Sequence, residues 1–210
     1  MSIQLMNEIS NNYHVALSVH RELADLFWFV YMPGYALWHE YQYLDESCAQ
    51  RKVKRYISET YHTFMPDKLP KSANITEPLL AGKNRKSLKI EESWKMIKEA
   101  FHIYQEWEET SLQKYQQIAK ELFSSGEIST FNFVGEIIKD VKAELVYLTD
   151  KIIELNAMDW DMSQIVAEQP DHFERYEFLI KNLLGKSEMF HHNNSALDAH
   201  SRVFFEKSLD

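Results

Sequence analysis

Residues 94–155 read WKMIKEAFHIYQEWEETSLQKYQQIAKELFSSGEISTFNFVGEIIKDVKAELVYLTDKIIEL. Two long runs without proline flank the turn Ser124-Ser125-Gly126. In the first run Trp94, Ile97, Phe101, Tyr104, Leu112, Tyr115, Ile118 and Leu122 recur at helical spacing. In the second, Val134, Ile138, Val141, Leu145, Leu148, Ile152 and Leu155 alternate steps of four and three. Apolar stripes of that period face a shared core. A turn as short as Ser-Ser-Gly joins antiparallel neighbours, so the stretch is a helical hairpin.

The same reading extends upstream. Ile9, Tyr13, Ala16, Leu23, Phe27 and Val30 form one stripe, and Pro33-Gly34 breaks it. A more broken stripe follows: Leu37, Tyr41, Leu44, Cys48, Val53, Ile57 and Phe64. This predicts helices over about 3–31, 35–65, 88–124 and 129–155. The connection at 66–87 holds Pro66, Pro70, Pro78 and Gly82 and is long enough to cross the length of a bundle. The expected fold is all-α: two antiparallel helical hairpins joined by one long crossover. Residues 1–155 would form the bundle. Residues 156–210 would form a helical C-terminal extension, with short helices near 171–184 and 196–207, packed on or between bundles.

Composition agrees. The chain has 210 residues, of which 45% are hydrophobic, but only five glycines and five prolines. That is too few turn residues for a β-sandwich or a doubly wound α/β fold. With 32 acidic against 23 basic residues the net charge is −9, which argues against a nucleic-acid binder. One cysteine, Cys48, excludes an internal disulfide and suits a reducing compartment. The apolar stretch Leu23–Trp38 falls short of the roughly 20 residues of a membrane span and is broken by Asp25 and Pro33-Gly34. Residues 1–10 hold no basic residue, so no secretory signal is expected and a cytoplasmic location is. No phosphate loop, dinucleotide fingerprint or nucleophile signature is present.

Polar residues on apolar stripes mark the chemistry. Glu108 interrupts Phe101, Tyr104, Leu112 and Tyr115; His20 interrupts Ala16 and Leu23. A buried carboxylate is neutral, paired or bound to metal. Asp140 and Glu144 are one turn apart on the fourth helix, and folding about Gly126 sets Glu108 at the level of Glu144. Glu59 and His62 form a Glu-x-x-His pair, the spacing that supplies two ligands from one helix in di-metal bundles. Folding the first hairpin at Pro33 instead sets Glu46 near His20 and carries Glu59 and His62 toward the chain start. Both sets are candidates. His20 could equally be a core histidine bonded to Glu46, and Glu108 could pair with Lys142 or Lys151. Glu99, His102 and Glu106 repeat the motif further along.

On two passages the chain resembles the ferritin-like superfamily. Glu106-Trp107-Glu108, Ile118-Ala119 and Thr130-Phe131-Asn132-Phe133 look like the third and fourth helices of bacterial ferritins. Read without gaps, the third-helix ligand falls on Glu108, the first fourth-helix ligand on Asp140, and the next on Ala143, one short of Glu144. Phe27-Trp28, Pro33 and His39-Glu40 look like a stretch of Dps miniferritins. There the first ligand histidine falls on Phe27, the second on His39, the nearby aspartate on Tyr43, and later carboxylates on Lys54 and Ser58. A Dps-type intersubunit centre is therefore not expected.

The resemblance implies a ferritin-like four-helix bundle that binds iron, as a di-iron centre, with manganese or zinc as other metals of suitable ligand chemistry. It would oxidise Fe(II) for storage or detoxification. Its ligands would be Glu108, Asp140, Glu144, Glu59 and His62, with His20 and Glu46 the alternative first-hairpin set. It implies a homo-oligomer, and the extension, with His191-His192 and Asp198-x-His200, would meet a protein partner. Two other functions fit the same residues: a metal-free interaction or assembly module, and a di-metal oxygenase acting on an organic substrate.

Overall fold

The computed structural model describes residues 2–64, 66 and 73–186. Helices α1 (Ser2–Phe29) and α2 (Pro33–Tyr61) form the first hairpin. The crossover carries α3 (Glu77–Leu80), a single turn, and a 3-10 turn at Arg85–Ser87. Helices α4 (Ile90–Ser124) and α5 (Ile128–Ala157) form the second hairpin, and α6 (Met162–Lys186) follows. The extension's last residues, including the helix expected near 196–207 and the His191-His192 stretch, lie outside the described residues.

Helices α1, α4 and α5 end alike. Gly126 (φ 76°) closes α4 in the left-handed region while Glu127 N–H reaches back to the Leu122 carbonyl. Tyr31 (φ 62°) does the same after α1, with Met32 N–H on Phe27, and Asp159 (φ 51°) after α5, with Trp160 N–H on Leu155. This is the Schellman turn. Only one of the three uses glycine; a left-handed L-residue costs about 1–2 kcal/mol. Contacts nearby offset it. The Arg85 guanidinium lies 3.8 Å over the Tyr31 ring, and Trp160 is buried in the core.

The crossover runs back along α1. The Glu22 carboxylate accepts the backbone N–H groups of Asn74 and Thr76 at 2.9 and 3.3 Å. It thereby returns the chain to the end where α2 began. So α2 and α4 run parallel, as do α1 and α5, and each hairpin is antiparallel within itself.

The sixth helix differs from its expected span of 171–184. It begins nine residues earlier and passes through Pro170. Its start is a cap: the Asp161 carboxylate accepts the N–H groups of Ser163 and Gln164 at 2.7 and 3.3 Å. A proline inside a helix removes one backbone bond. Packing outweighs that loss, because Ile165, Tyr176 and Ile180 enter the same core as α1, α2, α4 and α5. Gln169, also on α6, accepts the N–H groups of Gly34 and Tyr35 at 3.1 and 3.3 Å, satisfying the otherwise bare first turn of α2. Gly34 is needed for this approach, since a Cβ there would sit 2.6 Å from the Gln169 carbonyl oxygen.

Two apolar clusters fill the bundle. One joins Leu23, Phe27, Trp38, Phe101, Leu148 and Trp160; the other joins Ile9, Val53, Tyr115, Leu122 and Val134. Each long helix of the two hairpins passes from one cluster to the other. The change falls after Tyr13 on α1, after Leu44 on α2, after Tyr104 on α4 and after Val141 on α5. Between the clusters lies a polar layer. Among the described residues no helix is long and apolar enough to cross a membrane.

Candidate metal centre

The polar layer receives an acid or imidazole from every helix of the two hairpins. His20 comes from α1, Glu46 from α2, Glu108 from α4 and Glu144 from α5. One ligand atom of each of His20, Glu46 and Glu108 lies within 4.8 Å of the other two. His20 and Glu108 are buried, at 0% and 1% exposure. Glu46 leaves part of its stem exposed, yet its Oε2 is enclosed.

On these three residues, His20 Nε2, Glu46 Oε2 and Glu108 Oε1 are each buried without a hydrogen-bond partner. A single such atom costs about 1–3 kcal/mol. Three such atoms, on residues of three helices whose ligand atoms gather in one place, make up a donor set for a cation. Imidazole with carboxylates is the chemistry of iron, manganese or zinc sites. The residues present therefore fit a divalent cation.

Charge states follow from the burial. Desolvation, then the charges of Glu144 and Glu46, push the Glu108 carboxyl well above the usual carboxylate range. Desolvation, then Glu144 and Asp45, do the same to Glu46. Glu144 is pushed up to about 7 by desolvation, opposed by the Tyr104 hydroxyl and raised further by Asp45. Burial pulls His20 down to about 3, and pulls His39 down strongly with help from His20. Without a cation the layer is thus held by protons on its carboxyls and by neutral imidazoles.

Neighbours shape the layer. Tyr104 and Gln42 both donate to Glu144. His39 Nδ1 lies 3.1 Å from His20 Nδ1. A cleft of about 400 Å³ adjoins the layer; Asp45, Asp140 and Arg175 are its exposed charged wall residues, and Glu46, Glu144 and Trp38 are less exposed.

The expected residues distribute unevenly. Glu108, His20 and Glu46 come together, and Glu144 stands beside them. Asp140 is exposed one turn away, on the cleft wall. Glu59 and His62 are not brought to the layer. Glu59 is about 20 Å further along α2 at about 1.5 Å per residue, and exposed. His62 is the C-cap of α2 with φ 50°. Glu99, His102 and Glu106 are exposed on α4. Lys151 bonds to Glu154 and Glu168 rather than to Glu108. Three residues after Glu46 stands Ala49, so α2 supplies one ligand here and not a Glu-x-x-His pair.

Sequence reasoning did not single out Gln42, Tyr104 or Asp45 for the site. Their spacing carried a signal. Gln42 and His39 precede Glu46 by one and two turns, and Tyr104 precedes Glu108 by one.

In sequence, no protein-family model and no curated protein matches the chain. Solved structures do resemble it. The open-pore ferritin of the archaeon Archaeoglobus fulgidus superposes with a TM-score of 0.64 at 14% identity, over 82% of this chain and 94% of that one. A humanized archaeal ferritin gives 0.66 at 14% identity, over 82% and 93%. A PmFTN variant soaked in iron gives 0.65 at 8% identity, over 80% and 96%. At such identities the likeness speaks to architecture: the chain has the fold of the ferritin-like superfamily.

Proposed function

We propose that this protein binds a divalent cation at His20, Glu46 and Glu108, and that its physiological substrate is Fe(II), oxidised for storage or detoxification. The observation that carries this reading is the convergence of His20, Glu46 and Glu108 from three helices, each with a buried, unpartnered polar atom. The solved ferritins of the same fold, one of them soaked in iron, support the choice of metal.

The residues divide the work. His20 Nε2 offers a neutral lone pair. Glu46 and Glu108 shed protons as the cation enters and become its counter-charges. Glu144, held by Tyr104 and Gln42, adds negative potential beside them. The apolar clusters above and below exclude water, which strengthens each charge interaction. Bound Fe(II) would give one electron to dioxygen or a peroxide.

The test is metal content after anaerobic Fe(II) loading and desalting, for the full chain and for Glu108→Gln. About one ion per chain at this centre, lost in the variant, supports the reading. No retained metal in either protein overturns it.

A second reading has its own observation. The cleft beside the layer is walled by Tyr41, Tyr147 and Tyr176, an aromatic surface suited to an organic substrate of a metal-dependent oxygenase. Oxygen consumption that depends on an added aromatic compound, rather than on Fe(II) alone, would favour it. In either case we read the chain as a homo-oligomer, which sedimentation would test.

A further inference from the structure

His39 is not one of the three converging residues, yet it touches one of them. It is 1% exposed on α2, and its Nδ1 meets the Nδ1 of His20 at 3.1 Å. Packing fixes its ring. It stacks on Phe27 with centroids 5.3 Å apart and planes 7° from parallel, and on Trp38 at 5.6 Å and 17°. The Tyr104 ring meets it edge-on at 4.8 Å.

Two neutral imidazoles that meet nitrogen to nitrogen share one proton, so one ring donates and the other accepts. The direction matters for chemistry. If His39 donates, the proton of His20 sits on Nε2, its buried and unpartnered nitrogen, and occupies the lone pair that a cation shared with Glu46 and Glu108 would need. If His20 donates, Nε2 is free.

We propose that His39 is a positioning residue whose Nδ1 accepts the Nδ1–H of His20, holding the Nε2 lone pair of His20 free for a cation shared with Glu46 and Glu108. This rests on the cation-binding reading of the centre. A metal-bound imidazole usually gives its second N–H to a carboxylate, a carbonyl or water. A neutral imidazole in that role fixes the tautomer and the ring angle without adding a further negative charge to a layer already holding Glu46, Glu108 and Glu144.

The experiment uses the full chain with 15N-labelled histidine and Zn(II) as a diamagnetic probe. Long-range proton–nitrogen correlation reads each tautomer. The zinc-loaded protein is expected to show His20 protonated at Nδ1 and His39 protonated at Nε2; His20 protonated at Nε2 overturns the proposal. His39→Phe keeps the stacked ring and removes the acceptor, so the zinc Kd should rise about 10–100-fold. His39→Asn, whose amide oxygen can take the place of Nδ1, should recover most of that loss. A wild type that binds zinc alongside an unchanged Kd in His39→Phe removes the role of His39 alone. A wild type that binds no zinc removes the centre itself, and this role with it.

Discussion

The hydroxyl of Tyr104 on α4 donates to the carboxylate of Glu144 on α5, tying the second hairpin together in the polar layer. Gln42 reaches the same oxygen from α2. A hydrogen bond to the charged form favours that form. These two donors therefore restrain a carboxyl that burial drives up to about 7. Tyr104→Phe keeps the ring that packs edge-on against His20 and His39 and deletes the donor. The midpoint of Glu144, followed by carboxyl 13C shifts, is expected to rise by about one to two pH units, since a hydrogen bond to a charged group contributes about 1.5–3 kcal/mol.

The carboxyl cluster also sets how stability varies with pH. Glu46, Glu108 and Glu144 have folded-state values above their ordinary ones, so the folded chain binds more protons than the unfolded chain once pH passes about 4.5. Stability then falls as pH rises. For Glu144 the loss runs from about 4.5 to about 7; for Glu46 and Glu108 it likewise begins near 4.5 and runs well above it. His20 and His39, held neutral by burial, work in the opposite sense below about 6.5, so the carboxyl contribution is read from the difference in melting between cation-free wild type and Glu108→Gln. Glu108→Gln should flatten that slope, matching wild type at pH 5 and exceeding it at pH 8. Saturating Zn(II) should restore the wild type at pH 8 and leave the variant unmoved. A variant no more stable than wild type at pH 8 would refute this.

The apolar stripes made the bundle legible in the sequence. Glu108 and His20 stood out because each interrupts such a stripe. The second helix was harder, and the structure gives the reason. Its core face is polar for two turns, through His39, Gln42 and Glu46, so no clean stripe exists to interrupt. Glu59 and His62 drew attention through motif spacing, but hairpin register decides height, and the turn at Pro33 puts Glu46 opposite His20. The expected start of the sixth helix at 171, just after Pro170, falls too late because a local rule cannot register that Gln169 closes the first turn of α2 from a distant part of the chain.

That same contact makes a test of the α2–α6 packing. Gly34→Ala would place a methyl group 2.6 Å from the Gln169 carbonyl oxygen and 2.7 Å from His172 Cβ. Backbone on one side and a packed side chain on the other leave it no room. Overpacking of this kind costs about 1–3 kcal/mol, or several degrees of melting temperature. The backbone amides of Gly34 and Tyr35, which donate to Gln169, should exchange faster in the variant. Unchanged melting and exchange would show that α6 yields without cost.

Asp140 separates a ligand from an entrance. It is exposed on the cleft wall with Asp45, and the atoms that converge on the candidate cation come from His20, Glu46 and Glu108. A charge at a rim changes how fast a cation arrives and how salt alters that rate, while a ligand changes how long the cation stays. In stopped-flow zinc binding, followed by tryptophan fluorescence, Asp140→Asn should slow association several-fold at low salt, with the difference shrinking as ionic strength rises and dissociation unchanged. Glu108→Gln should act on dissociation. An Asp140→Asn variant that releases zinc faster, with association unaltered, would place Asp140 among the ligands and require the cation to sit nearer the cleft than the three unpartnered atoms.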